Sequence, residues 1–155
     1  MVQEGKTAPD FELPADDGKP VKLSKLKGHA VVLYFYPKDD TSGCTTEAKD
    51  FTTLMDQFKA AGAEVIGISP DSVSSHQKFT KKHALGVKLA ADEDQAVANA
   101  YGVWVEKSMY GRKYMGVERS TFLIDKAGKV SQIWNKVKVP GHAEAVLAAV
   151  KALKA

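Results

Sequence analysis

The sequence predicts an α/β domain built on a central mixed sheet with helices on both faces. Three observations carry this. Val31-Val32-Leu33-Tyr34-Phe35-Tyr36 and Val65-Ile66-Gly67-Ile68 are apolar on both alternating faces, as in central strands covered on two sides. Between them Phe51, Leu54, Met55 and Phe58 fall at i, i+3, i+4 and i+7, one helical stripe closed by Ala61-Gly62-Ala63. Strand, helix and strand in succession make a parallel crossover, which is right-handed. Farther on, the runs from Ser120 to Asp125 and from Val130 to Asn135 flank Lys126-Ala127-Gly128-Lys129, a hairpin signature.

The other elements follow in chain order. Phe11-Glu12-Leu13 and Val21-Lys22-Leu23 around Asp16-Asp17-Gly18 predict a small opening hairpin. A second helix starts at Asp71 or Ser72 and runs to about His83, followed by a short strand from Val87 to Ala90 and a helical segment from Asp92 to Tyr101. After Pro140-Gly141 a closing helix carries Val146, Leu147, Val150 and Leu153 on one face. A parallel crossover, then an antiparallel hairpin, then a terminal helix is the order of a thioredoxin-like sheet.

Length and composition bound the function. The 155 residues, 44% hydrophobic and 26% charged, suit one domain over 1–155, with no internal repeat and no low-complexity stretch. Net charge is only +3, and all the cations except Arg112 and Arg119 are lysines, so planar bidentate recognition of bases or phosphates is scarce and no nucleic-acid partner is expected. The start, Met1 to Lys6, lacks the pattern of a secretory signal, and the longest apolar stretch, Ala30 to Tyr36, is too short for a bilayer. A cytoplasmic chain with no membrane partner is the expectation. No phosphate-cradling glycine loop is present, and no cofactor is expected.

Cys44 is the chain's one cysteine, which excludes an internal disulfide and a cysteine-paired zinc site. It follows the first core strand, in Pro37-Lys38-Asp39-Asp40-Thr41-Ser42-Gly43-Cys44-Thr45-Thr46-Glu47, where open α/β sheets place their ligands. With Thr41 or Ser42 as N-cap, Cys44 falls in the first helical turn, where unpaired N–H groups and the dipole favour an anion such as a thiolate. The plainer alternative is a small buried side chain, since free cysteines are commonly buried. Polar flanks on both sides weigh against it. Asp39 and Asp40 would oppose a thiolate if they lay near the sulfur, so a cation from elsewhere must offset them.

These residues resemble the peroxiredoxins, specifically the bacterioferritin comigratory protein (PrxQ) subfamily, over nearly the whole chain. Pro37, Thr41 and Cys44 meet the pattern Pro-x-x-x-Thr-x-x-Cys, and Ala8-Pro9-Asp10-Phe11 the amino-terminal pattern. Similar stretches run from Leu33 to Thr41, Ser69 to Ser72, Tyr101 to Trp104 and Gly116 to Asp125. The resemblance implies a peroxidase in which the Cys44 thiolate reduces hydrogen peroxide or an organic hydroperoxide and becomes a sulfenic acid. It assigns Arg119 as the arginine that stabilises the thiolate and the charge growing across the breaking O–O bond. The alternatives for Arg119 are a pairing with Glu118 or a surface charge. Thr41 carries over as the hydroxyl holding peroxide and sulfur together, accepting from one and donating to the other. Pro37 carries over as a shield that stiffens the loop. Glu47 either orients Arg119 or simply meets the helix dipole.

Two departures matter. Many members carry a resolving cysteine five residues after the nucleophile or in the next helix; here the first position is Lys49 and the second helix has no cysteine. With no resolving cysteine, the sulfenic acid must be reduced by an external thiol reductant of thioredoxin, glutaredoxin or glutathione type. Ser42 stands where the subfamily often has proline. A monomer is expected. His29, His76, His83 and His142 show no familiar ligand spacing, so no metal is expected. Trp104 and Tyr110 either line the approach to the site or, more economically, fill the core. The competing function is a non-enzymatic thioredoxin-like redox sensor or binding module; a disulfide reductase is a poorer choice without Cys-x-x-Cys.

Overall fold

The computed structural model describes residues 2–153; of the expected domain, 1, 154 and 155 lie outside the described residues. Its frame is a five-stranded sheet made by β3 (Ala30–Phe35), β4 (Ala63–Ser69), β5 (Lys88–Ala91), β8 (Ser120–Ile124) and β9 (Val130–Trp134), in the order β5-β4-β3-β8-β9. The pairs β3–β4 and β4–β5 are parallel, whereas β3–β8 and β8–β9 are antiparallel, as expected of a thioredoxin-like sheet.

Strand β3 divides the core because successive side chains face opposite ways. Val31, Leu33 and Phe35 enter one apolar cluster with Tyr101, Val103, Val117 and Phe122. Val32, Tyr34 and Tyr36 enter the other with Cys44, Phe51, Phe58, Phe79, Val146 and Val150. Helices are unequally shared between the faces. The second face receives α1 (Ser42–Thr53), α2 (Met55–Ala60), α3 (Val73–His83) and α5 (His142–Ala152). The first is covered by α4 (Ala96–Ala100) and by the opening hairpin, β1 (Glu12–Leu13) with β2 (Val21–Lys22).

Two expectations need correction, and one element is new. The stripe through Phe51 and Phe58 is not one helix, because the chain breaks at Leu54, whose N–H is shared between the Asp50 and Phe51 carbonyls. Thr52 and Thr53 stand just before the break, their hydroxyls bonding back to Ala48 O and Lys49 O, a pattern that weakens and bends helices. The segment from Asp92 to Tyr101 is helical only over Ala96–Ala100. Asp92 lies outside as a cap, its buried carboxylate accepting from Val97 N and Ala98 N. A hairpin absent from the expectations, β6 (Trp104–Met109) with β7 (Arg112–Val117), turns at Tyr110-Gly111, both at positive φ.

Candidate active site

The site forms where β3 ends. Chain leaving Phe35 and Tyr36 passes through half-buried Pro37 and the Lys38–Asp40 turn to Thr41, the extended N-cap of α1. Thr41 makes no side-chain cap bond; its hydroxyl donates to Lys38 O at 3.0 Å. The hydroxyl proton is therefore engaged, and the oxygen's acceptor capacity is what faces solvent. Cys44 is the third residue of α1, within the turn whose first N–H groups have no intrahelical acceptor.

Cys44 is 1% exposed, so polar neighbours in sequence do not keep it at the surface. Those neighbours occupy the outer side of α1, while Cys44, Glu47, Ala48 and Phe51 occupy its inner side. Burial and reactivity are not alternatives here, because the sulfur is buried against a cation. Arg119 Nη2 donates to Cys44 Sγ at 3.2 Å, and Nη1 to Glu47 Oε1 at 2.5 Å. The pairing considered with Glu118 is replaced by this fork. Arg119 lies between β7 and β8, and its backbone is held on both sides: its carbonyl accepts from Val137 N, and Glu118 N donates to Val103 O.

Glu47 is 1% exposed, and only Oε1 has a partner; Oε2 is buried with none among the described residues. Burial pushes its carboxyl up to about 7, against the opposing pull of Arg119 and with a contribution from Asp50. A carboxyl protonated for part of the time near neutrality leaves more of the guanidinium's charge to the sulfur. Burial together with the Arg119 charge pushes His142 down to about 4. His142 stays neutral, in contact with Thr121 Oγ1 at 2.8 Å.

These two groups predict opposed pH slopes of stability. Between its ordinary 4.5 and about 7, Glu47 keeps in the folded state a proton the unfolded chain has lost, so its contribution falls as pH rises, by on the order of 3 kcal/mol in full. Between about 4 and the ordinary 6.5, unfolded His142 binds a proton that the folded state does not, so its contribution rises with pH. Glu47→Gln is expected to make melting temperature rise more steeply from pH 4.5 to 6.5 than in the parent, and His142→Gln to make it rise less or fall. Thermal melts at the two pH values check both signs.

Gly43 sets the room for the guanidinium. A Cβ there would stand 3.2 Å from Arg119 Nη2. Gly43→Ala gains helix propensity of roughly 1 kcal/mol but pushes on a group anchored at both ends. The expected result is a melting temperature no lower than the parent's, with Cys44 oxidation by hydrogen peroxide slowed about threefold to tenfold. Stopped-flow oxidation alongside a thermal melt reads the two effects separately.

The acids feared as neighbours of the sulfur are engaged elsewhere. Asp39 bonds Tyr36, Ser75 and His76, and Asp40 bonds Lys82 and His83. The fold brings ligand atoms of Asp39, Asp71 and His76 within 4.8 Å, a cluster that sequence spacing did not show. Hydrogen bonds account for it, since both His76 nitrogens and the facing carboxylate oxygens already have protein partners. His29 is exposed and His83 pairs with Asp40. Lys49 is on the exposed side of α1, and Ser42 opens that helix. Trp104 packs against the first core cluster, whereas Tyr110, 98% exposed at the hairpin tip, does not fill the core. Sequence reasoning missed Lys107. Burial and the Arg119 charge lower its basicity while Glu118 and Cys44 oppose this, which places another cation within electrostatic reach of the sulfur.

The AhpC/TSA family model matches residues 5–133. A protein of Coxiella burnetii named putative peroxiredoxin bcp is 50% identical over 146 residues, covering 94% of this chain and 97% of its own. Peroxiredoxin Bcp of Bacillus subtilis is 49% identical over 150 residues, covering 97% and 96%. A solved structure of the Xanthomonas campestris bacterioferritin comigratory protein, described for its alkyl peroxide reduction activity, superposes with a TM-score of 0.91 at 46% identity, covering 97% of this chain and 98% of that one. No described helix is long and apolar enough to cross a membrane. By a family model over most of its length and relatives at half identity across nearly all of it, the chain belongs to the AhpC/TSA family, among the peroxiredoxins.

Proposed function

We propose that Cys44 is the reacting thiol of this thiol-dependent peroxidase and that Arg119, Thr41 and Pro37 act with it, with Glu47 orienting Arg119. The observation that carries the reading is the 3.2 Å contact between Arg119 Nη2 and Cys44 Sγ in the first turn of α1. The thiolate attacks one peroxide oxygen; the S–O bond forms as the O–O bond breaks, and the leaving oxygen takes a proton and departs as water or an alcohol. Arg119 meets charge at both ends of this step, first on sulfur and then on the parting oxygens. Thr41 offers its oxygen lone pairs to the peroxide O–H, and Pro37 shields the loop.

The resulting sulfenic acid has no second cysteine in this chain to meet. An external thiol attacks its sulfur and releases water, and a second thiol cleaves the mixed disulfide, returning the Cys44 thiol and a donor disulfide. Two thiols and one hydroperoxide thus give one disulfide, one water and one alcohol or second water. The donor is a thiol of thioredoxin, glutaredoxin or glutathione type.

Peroxide consumption with and without dithiothreitol tests this. The expected result is many equivalents of hydrogen peroxide consumed with the thiol and about one without it, and no internally crosslinked monomer. Rapid multiple turnover without any reductant would refute the external-donor step, and one equivalent consumed even with the thiol present would favour the sensor.

A further inference from the structure

The loop that presents Pro37 and Thr41 is held from outside. Asp40 sits at φ +61, in the left-handed region that residues other than glycine adopt uncommonly, aspartate more readily than most, and its carboxylate is paired with Lys82 and His83 of α3. Restraints on the loop come from Tyr36 just after β3, from α3 and from the turn before α3, and they converge on Asp39, which is 7% exposed. Asp39 N donates to Asp71 Oδ2 at 2.8 Å. Tyr36 OH donates to Asp39 Oδ1 at 2.6 Å, and Ser75 Oγ to Oδ2 at 2.8 Å. His76 Nδ1 stands 2.7 Å from the same Oδ2.

His76 links the loop to the sheet. The side chain is wholly buried, and its Nε2 lies 3.0 Å from Ala90 O in β5. A carbonyl only accepts, so Nε2 is the donor there, and the remaining nitrogen faces Asp39 with a proton between Nδ1 and Oδ2. One imidazole thereby ties the loop beside Cys44 to the edge strand of the sheet. None of these groups hydrogen-bonds the sulfur, whose polar partner is Arg119. Their effect on chemistry is geometric, and displacements of about 1 Å at such loops cost up to a hundredfold in rate.

We propose that His76 is a positioning residue for the peroxide step: through Asp39 it fixes the Pro37–Thr41 loop in the conformation that sets Thr41 beside the site. This rests on Cys44 being the reacting thiol. The two nitrogens allow the role to be separated from plain stability. Asn at this position carries an amide nitrogen where Nδ1 was and can still donate to Asp39; Gln carries one where Nε2 was and can still donate to Ala90 O. His76→Gln is expected to slow sulfenic acid formation by hydrogen peroxide about tenfold or more, whereas His76→Asn stays within about threefold of the parent, although each loses one buried hydrogen bond. Ser75→Ala, which removes one donor to Asp39 at a half-buried position, is expected to fold as the parent does and to react about twofold to fivefold more slowly.

The readout is the rate constant for oxygen addition to Cys44 by quenched-flow mass spectrometry, beside a thermal melt of each variant. Equal losses in His76→Asn and His76→Gln, or no loss in either, would overturn the positioning role. If neither His76 variant folds, Ser75→Ala decides: the parent rate overturns the proposal and a slower rate supports it. An unreactive parent would instead refute the reading of Cys44 and is recognised before any variant is compared.

Discussion

Cys44→Ser is expected to abolish peroxide reduction, lowering the rate by at least about a thousandfold, or roughly 4 kcal/mol of barrier. The replacement keeps size and position but removes the chemistry. A serine hydroxyl is ionised to a negligible extent near neutrality and has no accessible oxidised state equivalent to a sulfenic acid, so neither the S–O bond nor the subsequent disulfide can form. Because Cys44 is almost wholly buried and Arg119 still finds an oxygen where sulfur was, the variant should fold with its fork intact. Peroxide consumption in the presence of thiol checks it. A residual rate near the parent's would remove Cys44 from the mechanism.

Arg119→Lys should slow Cys44 oxidation by more than tenfold, on the order of 1.4 kcal/mol or more, though the charge is unchanged. The guanidinium reaches Glu47 with one nitrogen and Cys44 with the other. An ammonium is one point and must choose, and the buried Glu47 carboxylate is the stronger attractor when ionised. The thiolate then loses its donor, and the parting oxygens lose theirs. Presteady-state oxidation of the variant reads the loss directly. Arg112 is no substitute if the rate is unchanged, because it lies exposed at the start of β7, opposite Met109. An unchanged rate would instead place the electrostatic work on the helix terminus and Lys107.

What the sequence disclosed divides along physical lines. Strands buried on both faces, such as β3 and β4, betray themselves by continuous apolar runs. The β6–β7 ribbon is largely exposed, so it lacks an alternating pattern, and its turn places Tyr110 at a positive φ that tyrosine rarely adopts. Helix periodicity marked the inner face of α1 and α2 but could not show that the helix breaks at Leu54, just past two threonines whose hydroxyls bond back to the backbone. Within the candidate site, the helix-start position singles out Cys44, whereas Thr41, Pro37 and Arg119 are proposed from family likeness. The choice of Glu47 over Glu118 as its partner depends on contacts 72 residues apart. The network of Asp39 with His76 spans 37 residues and is visible only when α3 packs beneath the loop.

In the proposed mechanism the buried sulfur held by Arg119 is the atom that peroxide oxidises. Intact-mass and peptide mass spectrometry after one equivalent of hydrogen peroxide decides this. The parent is expected to gain one oxygen on the peptide bearing Cys44, or the mass of an added small thiol when one is present, and Cys44→Ser to gain neither. Unmodified Cys44 after that equivalent has been consumed, or oxygen found instead on methionine, would contradict it.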